Sequence, residues 1–144
     1  MRSKATVAVA ESCTGGAIAN AITNIAGASK YFKCGVVAYS NRSKKDLLGV
    51  KEATLKKFGA VSGETAAEMA KGILKKSGAT YGIAVTGIAG PTGGTKEKPV
   101  GTVYIALAGP KKSEVKHFCF QCDRLEFKQK VVTTTLGWLK EILT

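Results

Sequence analysis

Short apolar runs alternate with segments of helical period along most of this chain, and that alternation restricts the folds open to it. Ala5-Thr6-Val7-Ala8-Val9-Ala10 reads as a buried strand within about Lys4–Ala10. Ile18, Ile22 and Ile25 then recur at helical spacing, predicting a helix from about Thr14 to Ala26 that Gly27 stops. Cys34–Ser40 reads as a second strand. Ser40 or Asn41 caps a short helix through Leu48, ended by Gly49, and Lys51–Phe58 adds a further helical turn or two before Gly59. Ser62 caps a longer helix to about Ser77, with Ala66, Met69, Ala70, Ile73 and Leu74 on its inner side. Tyr81–Thr86 is a near-continuous apolar strand, Gly87–Pro99 a glycine-rich loop and Val100–Ala108 a fourth strand. Gly109-Pro110-Lys111-Lys112 is too short for a crossover, so the strand after it, Val115–Gln121, pairs antiparallel. Asp123 opens a last helix striped by Leu125, Val132, Leu136, Leu139 and Leu143.

Five strands interleaved with helices, mostly parallel with one antiparallel pair, predict a three-layer α/β/α domain around a five-stranded mixed sheet. Neither an internal repeat nor an interdomain linker is visible, and 144 residues suit a single domain over 1–144. No apolar run reaches the length of a membrane span. The basic start Met1-Arg2-Ser3-Lys4 leads into an apolar stretch without a convincing cleavage site, so the expected location is cytoplasmic.

The formal charge of +12 fits a nucleic-acid binder, a site for a phosphorylated small molecule, or a lysine-rich solvated surface. Only three of the 22 basic residues are arginine, the preferred reader of base edges, and aromatics make up 7% of the chain. The composition therefore favours the solvated surface and disfavours nucleic acid as a partner. Cys119-Phe120-Gln121-Cys122 stands alone as a CxxC with His117 the only histidine, which argues against zinc; reduced packing cysteines, Cys13 and Cys34 included, are the better reading.

Three places carry chemistry. Glu11-Ser12-Cys13-Thr14-Gly15-Gly16 lies on a strand-to-helix turn, where a hydroxyl residue can be a nucleophile and free helix N–H groups can hold an oxyanion or phosphate. Ser12 or Thr14 acting only as a helix cap is the competing reading, with Cys13 an alternative nucleophile and Glu11 or Asp46 as orienting carboxylates. The loop Thr86–Thr95 follows a buried strand and is rich in N–H groups, yet matches neither the Rossmann nor the P-loop pattern; it reads equally as a phosphate cradle or a surface loop. Tyr39 ends the second strand and Lys44 lies in the first turn of the next helix, where the macrodipole and burial lower a lysine's pKa and suit it to act as a base. Without further context, the favoured reading is Lys44 as one more surface lysine beside Lys45 and Tyr39 as an ordinary strand aromatic.

Taken together, Ala10–Gly16 (AESCTGG), Gly35–Val50 (GVVAYSNRSKKDLLGV), Val61–Ala70 (VSGETAAEMA), Val85–Ala108 (VTGIAGPTGGTKEKPVGTVYIALA) and Asp123-Arg124 resemble the CinA C-terminal domain family of nicotinamide-mononucleotide deamidases. The resemblance spans nearly the whole chain from Val7. It implies an anticodon-binding-domain-like α/β/α architecture and hydrolysis of nicotinamide mononucleotide to nicotinate mononucleotide and ammonia, without metal or cofactor. It implies Ser12 as nucleophile with Tyr39 and Lys44 as helpers. Substrate and oxyanion contacts would come from Thr14, Gly15, Gly16, Thr86, Gly87, Ala89, Gly90, Gly93, Gly94 and Arg124. Members commonly form dimers or higher homo-oligomers. Thr92 stands where glycine is common, and Lys128 where arginine is frequent. Because some members lack detectable deamidase activity, a non-catalytic nucleotide- or partner-binding module, linked to competence or DNA damage, is the competing class.

Overall fold

A computed structural model describes residues 4–144; Met1–Ser3, and with them most of the basic start, lie outside the described residues. The predicted alternation becomes one mixed sheet. Its strands are β1 (Val7–Glu11), β2 (Phe32–Val37), β3 (Tyr81–Gly87), β4 (Thr102–Ala108) and β5 (Ser113–Cys119), in spatial order β2-β1-β3-β4-β5. β1 pairs parallel with β2 and β3, with Ala8 opposite Cys34 and Gly82. β4 runs antiparallel to β3, Val85 facing Ile105, and β5 antiparallel to β4.

Helices cover both faces. α1 (Ala17–Thr23) and α5 (Arg124–Leu143) lie on one side, where Val9, Val85, Ile105 and Ile18 meet Phe127, Val131 and Leu139. α2 (Asn41–Leu48), α3 (Glu52–Phe58) and α4 (Gly63–Ser77) lie on the other, where Ala10, Ala84 and Ala106 meet Met69, Ala70 and Ile73. The alanines are what let α4 lie close to the sheet: a Cβ at Gly82 would stand 2.5 Å from the carbonyl oxygen of Ala70. Buried on both faces, β1 is continuously apolar up to Glu11, whereas the edge strands β2 and β5 alternate.

Element boundaries moved for local reasons. The second strand stops at Val37 because Ser40 turns the chain into α2, its Oγ accepting from Ser43 N–H. The fourth starts at Thr102, after a turn closed by Gly101 N–H donating to Ile88. The fifth begins at Ser113 because Gly109 N–H donates to Lys112 O and closes the hairpin tightly. The first helix is shorter than its periodicity suggested, ending at Thr23, and Gly27 instead precedes a 3-10 turn, Ala28–Lys30. Ser62 and Asp123 cap α4 and α5 as expected. Leu125 is 73% exposed rather than part of the α5 stripe. The buried face is Phe127, Val131, Thr135, Trp138, Leu139 and Leu143, and Leu125 sits about 200° around the helix from Phe127.

β1 connects to β2 through α1 on one face, and β2 to β3 through α2–α4 on the other. Their carboxyl ends therefore border a crevice where the connections diverge, the usual ligand position in an open α/β sheet.

Candidate active site

Ser12 follows the last residue of β1, and Lys44 reaches it from α2. Among the described residues Lys44 is the largest fully buried side chain, 1% exposed. Its Nζ lies 3.1 Å from Ser12 Oγ and donates to Tyr39 O at 2.9 Å. Burial holds the Lys44 amine below the ordinary lysine range, with the Cys13 thiol acting weakly in the opposite direction. The bond to Tyr39 O occupies one hydrogen of the amine and burial eases loss of its proton, so the contact with Ser12 Oγ is the arrangement of a serine and its base. Lys44 is thus no surface lysine, and its neighbour Lys45 is the one that pairs outward, with Glu52.

Cys13 is also buried, and burial pushes its thiol up to about 12, so it carries no thiolate near neutral pH. That separates the two adjacent candidates in favour of Ser12.

Glu11 orients neither Ser12 nor Lys44 through its carboxylate. Oε1 accepts from Thr14 Oγ at 2.5 Å, Gly16 N–H at 3.2 Å and Ile18 N–H at 2.9 Å, and Oε2 from Ala19 N–H at 2.9 Å. The buried carboxylate thereby caps α1 from the strand side and meets the positive end of its dipole. Neither Ser12 nor Thr14 caps this helix; Gly16 occupies the N-cap in a left-handed conformation without a side-chain bond. The expectation of free donors is narrowed: Gly15 N–H donates to Ser12 O and Gly16 N–H to Glu11, while Thr14 accepts from Ala17 N–H. The N–H groups of Cys13 and Thr14 make no hydrogen bond to another described residue, and Cys13 is the one next to the nucleophile.

A cavity of about 200 Å3 opens over Ser12, lined also by Cys13, Tyr39, Asn41, Lys44, Ala60, Val61, Thr86, Gly87, Ala89 and Arg124. It is smaller than the roughly 300–1,000 Å3 that engulfs a drug-sized ligand, so it admits one end of a substrate. A wider groove of about 520 Å3 beside α2 and α3 is lined by Arg42, Asp46 and Lys56 and contains no nucleophile. Of the predicted contacts, Thr86, Gly87, Ala89 and Arg124 reach the cavity, and Gly90, Gly93 and Gly94 do not line it. Thr86 Oγ is committed to Ala60 O at 2.8 Å. Gly90, at φ 82°, and Gly94 are required by close packing on Val100: a Cβ at Gly94 would stand 2.6 Å from Val100 N. Both glycines let the loop pack on Val100.

Tyr39 meets the pair through its backbone. Its carbonyl holds Lys44, but its phenol lies 3.3 Å from Arg124 Nη2 and makes no hydrogen bond to Ser12 or Lys44. Arg124 Nη1 donates to Gly90 O at 2.6 Å, so the last helix ties the loop to the rim. One turn further, Lys128 approaches Gly15. Of these two cations of α5, Arg124 lines the cavity and Lys128 lies beside the turn that follows Ser12. Sequence reasoning missed Asn41, Ala60 and Val61, for which no pattern existed; the cap by Glu11 had a signal, an acid directly before a helix N-terminus. No group of three or more potential metal ligands converges among the described residues, Cys119 and Cys122 included. Among them, no helix is long and apolar enough to cross a membrane.

Fold and site together define an α/β domain that presents a serine, paired with a buried lysine, at the carboxyl edge of a mixed sheet. The chain belongs to the CinA C-terminal domain family, whose model matches residues 1–143. It is 57% identical over 143 residues to a CinA-like protein of Endomicrobium trichonymphae, covering 99% of this chain and 33% of that protein. Among solved structures it is similar to the competence/damage inducible protein CihA of Agrobacterium tumefaciens, with a TM-score of 0.91, 45% identity, and 98% and 87% of the two chains covered. It is also similar to the competence damage-inducible protein A (ComA) of Klebsiella pneumoniae, with a TM-score of 0.92, 38% identity, and 96% and 86% covered. The chain spans about a third of the length of the curated relatives it matches.

Proposed function

We propose that this chain is an amidohydrolase that converts nicotinamide mononucleotide to nicotinate mononucleotide and ammonia through Ser12. The observation that carries this reading is the buried Lys44 amine 3.1 Å from Ser12 Oγ at the wall of a cavity sized for one end of a substrate. Neutral Lys44 takes the Ser12 proton as Oγ attacks the amide carbon. The Cys13 N–H, on the residue following the nucleophile, faces the developing oxyanion. The Lys44 ammonium then returns the proton to the departing ammonia. Water, deprotonated by the same amine, releases nicotinate mononucleotide and regenerates Ser12. Arg124, at the cavity wall, holds the phosphate as it leaves the cavity, with Lys128 beside Gly15 as a second cation within the same region.

Ammonia release on incubation with nicotinamide mononucleotide tests this directly, with Ser12→Ala and Lys44→Ala as controls. Turnover that disappears in both variants supports it. Wild-type turnover in Ser12→Ala removes the nucleophile. No turnover by the wild-type chain, with nucleotide or salt-sensitive nucleic-acid binding retained, favours a non-catalytic module of the kind the relatives' competence and damage names suggest.

A further inference from the structure

Tyr39 is 61% exposed, yet its backbone is held on both sides. Ala38 N–H donates to Glu11 O at 2.8 Å, and Tyr39 O receives Lys44 Nζ. Ser40, next in the chain, caps α2. Tyr39 thus lines the Ser12 cavity on a fixed backbone, with its hydroxyl 3.3 Å from Arg124 Nη2. Its phenol makes no hydrogen bond to Ser12 or Lys44, which leaves the ring as its contribution to the cavity.

The charges around the cavity state the problem that such a ring solves. Arg124 lines it, Lys128 approaches Gly15 nearby, and the chain carries a formal charge of +12. These fixed cations suit a phosphate tail and repel a positively charged ring. The negative face of an aromatic ring attracts a flat cation. We infer that Tyr39 is the specificity-determining residue for the ring end of the substrate, stacking on an N-substituted pyridinium and selecting it over a neutral ring of the same outline. This rests on the nicotinamide-nucleotide reading of the site and adds to it the charge state that the site demands.

The test compares nicotinamide mononucleotide with its 1,4-dihydro form, which keeps the phosphate and the carboxamide but has a neutral ring. Binding is measured by calorimetry on the Ser12→Ala protein, so that no substrate is consumed. The oxidised nucleotide is expected to bind about tenfold more tightly than the reduced one, the scale of one desolvated cation–π contact. Adding Tyr39→Phe, which keeps the ring, preserves that ratio; adding Tyr39→Leu brings it to about one. Thermal melts verify that both variants fold. A tenfold ratio that survives Tyr39→Leu overturns the inference, and so does its loss in Tyr39→Phe, which assigns the preference to the hydroxyl. Equal binding of both nucleotides to the Ser12→Ala protein overturns it while leaving the nucleotide reading intact. Binding of neither nucleotide overturns the nucleotide reading itself, and this inference with it.

Discussion

Replacing Lys44 by Met separates what the buried amine does for catalysis from what it does for the fold. Methionine keeps a long unbranched chain in a site that is 1% exposed, and removes the bonds to Ser12 Oγ and Tyr39 O. Each lost bond costs about 1 kcal/mol net. Against this stands relief of a buried amine, whose pKa burial holds below the ordinary lysine range. The sign follows from linkage. Below the folded-state pKa of Lys44 both states carry the proton, and the folded protein bears the whole penalty. As pH rises from that value to the unfolded lysine value of about 10.4, wild-type stability climbs; above it the penalty is gone. Methionine therefore compares best with wild type near neutral pH and worst near pH ~10.5, where only the lost hydrogen bonds remain. The expected net change at neutral pH is within about 1 kcal/mol, or about 2–4 °C in melting temperature for a chain of this size. Ammonia release is expected to fall by about 10²–10⁴, the range of one general base. Urea titrations of both proteins from neutral to alkaline pH, beside turnover assays, provide the measurements. A variant about 3 kcal/mol less stable at every pH, with no divergence toward alkaline pH, would refute the reasoning and make Lys44 a structural tether.

The same titration shapes turnover: kcat/KM is expected to rise with pH and level off below the ordinary lysine pKa, because the buried Lys44 amine must be neutral; a break in the ordinary range in a pH–rate profile contradicts this. Glu11→Gln sets an amide donor against an N–H of α1 and removes the charge at its positive end, so urea unfolding is expected to show a loss of about 3 kcal/mol; a loss below about 0.5 kcal/mol removes the cap assignment. Gly82→Ala places a Cβ 2.5 Å from Ala70 O, and the forced separation of α4 from β3 is expected to cost about 1–3 kcal/mol in the same assay, with no change meaning that the helix yields freely. Arg124→Ala is expected to raise KM for nicotinamide mononucleotide about tenfold or more and to affect the phosphate-free nucleoside far less; equal effects on both detach Arg124 from the phosphate.

What was legible in the sequence, and what was not, divides along a physical line. The layers, strand order class and caps at Ser62 and Asp123 follow from hydrophobic period and local hydrogen bonding, which a short window contains. Ser12 and Lys44 were visible as types on plausible turns, but their pairing joins residues 32 apart, and no local pattern measures that distance. The misplaced assignments share one cause. Glycine beside a helix start was taken as open N–H groups, yet a residue's donors are free only after every neighbouring acceptor has been counted. Glu11 is such an acceptor, one residue before the nucleophile, and a buried carboxylate without donors would be far more costly than a helix end left to solvent. The chain therefore uses the Gly16, Ile18 and Ala19 N–H groups to satisfy Glu11. Any oxyanion then has to be met from the Ser12 side of the turn rather than from the helix. Gly90 and Gly94 have a packing reason of their own that no local pattern shows, since Val100 fills the space that their missing side chains leave. The same accounting moves the Tyr39 phenol from the lysine to Arg124, because the Lys44 amine already has its fixed acceptor in the Tyr39 carbonyl.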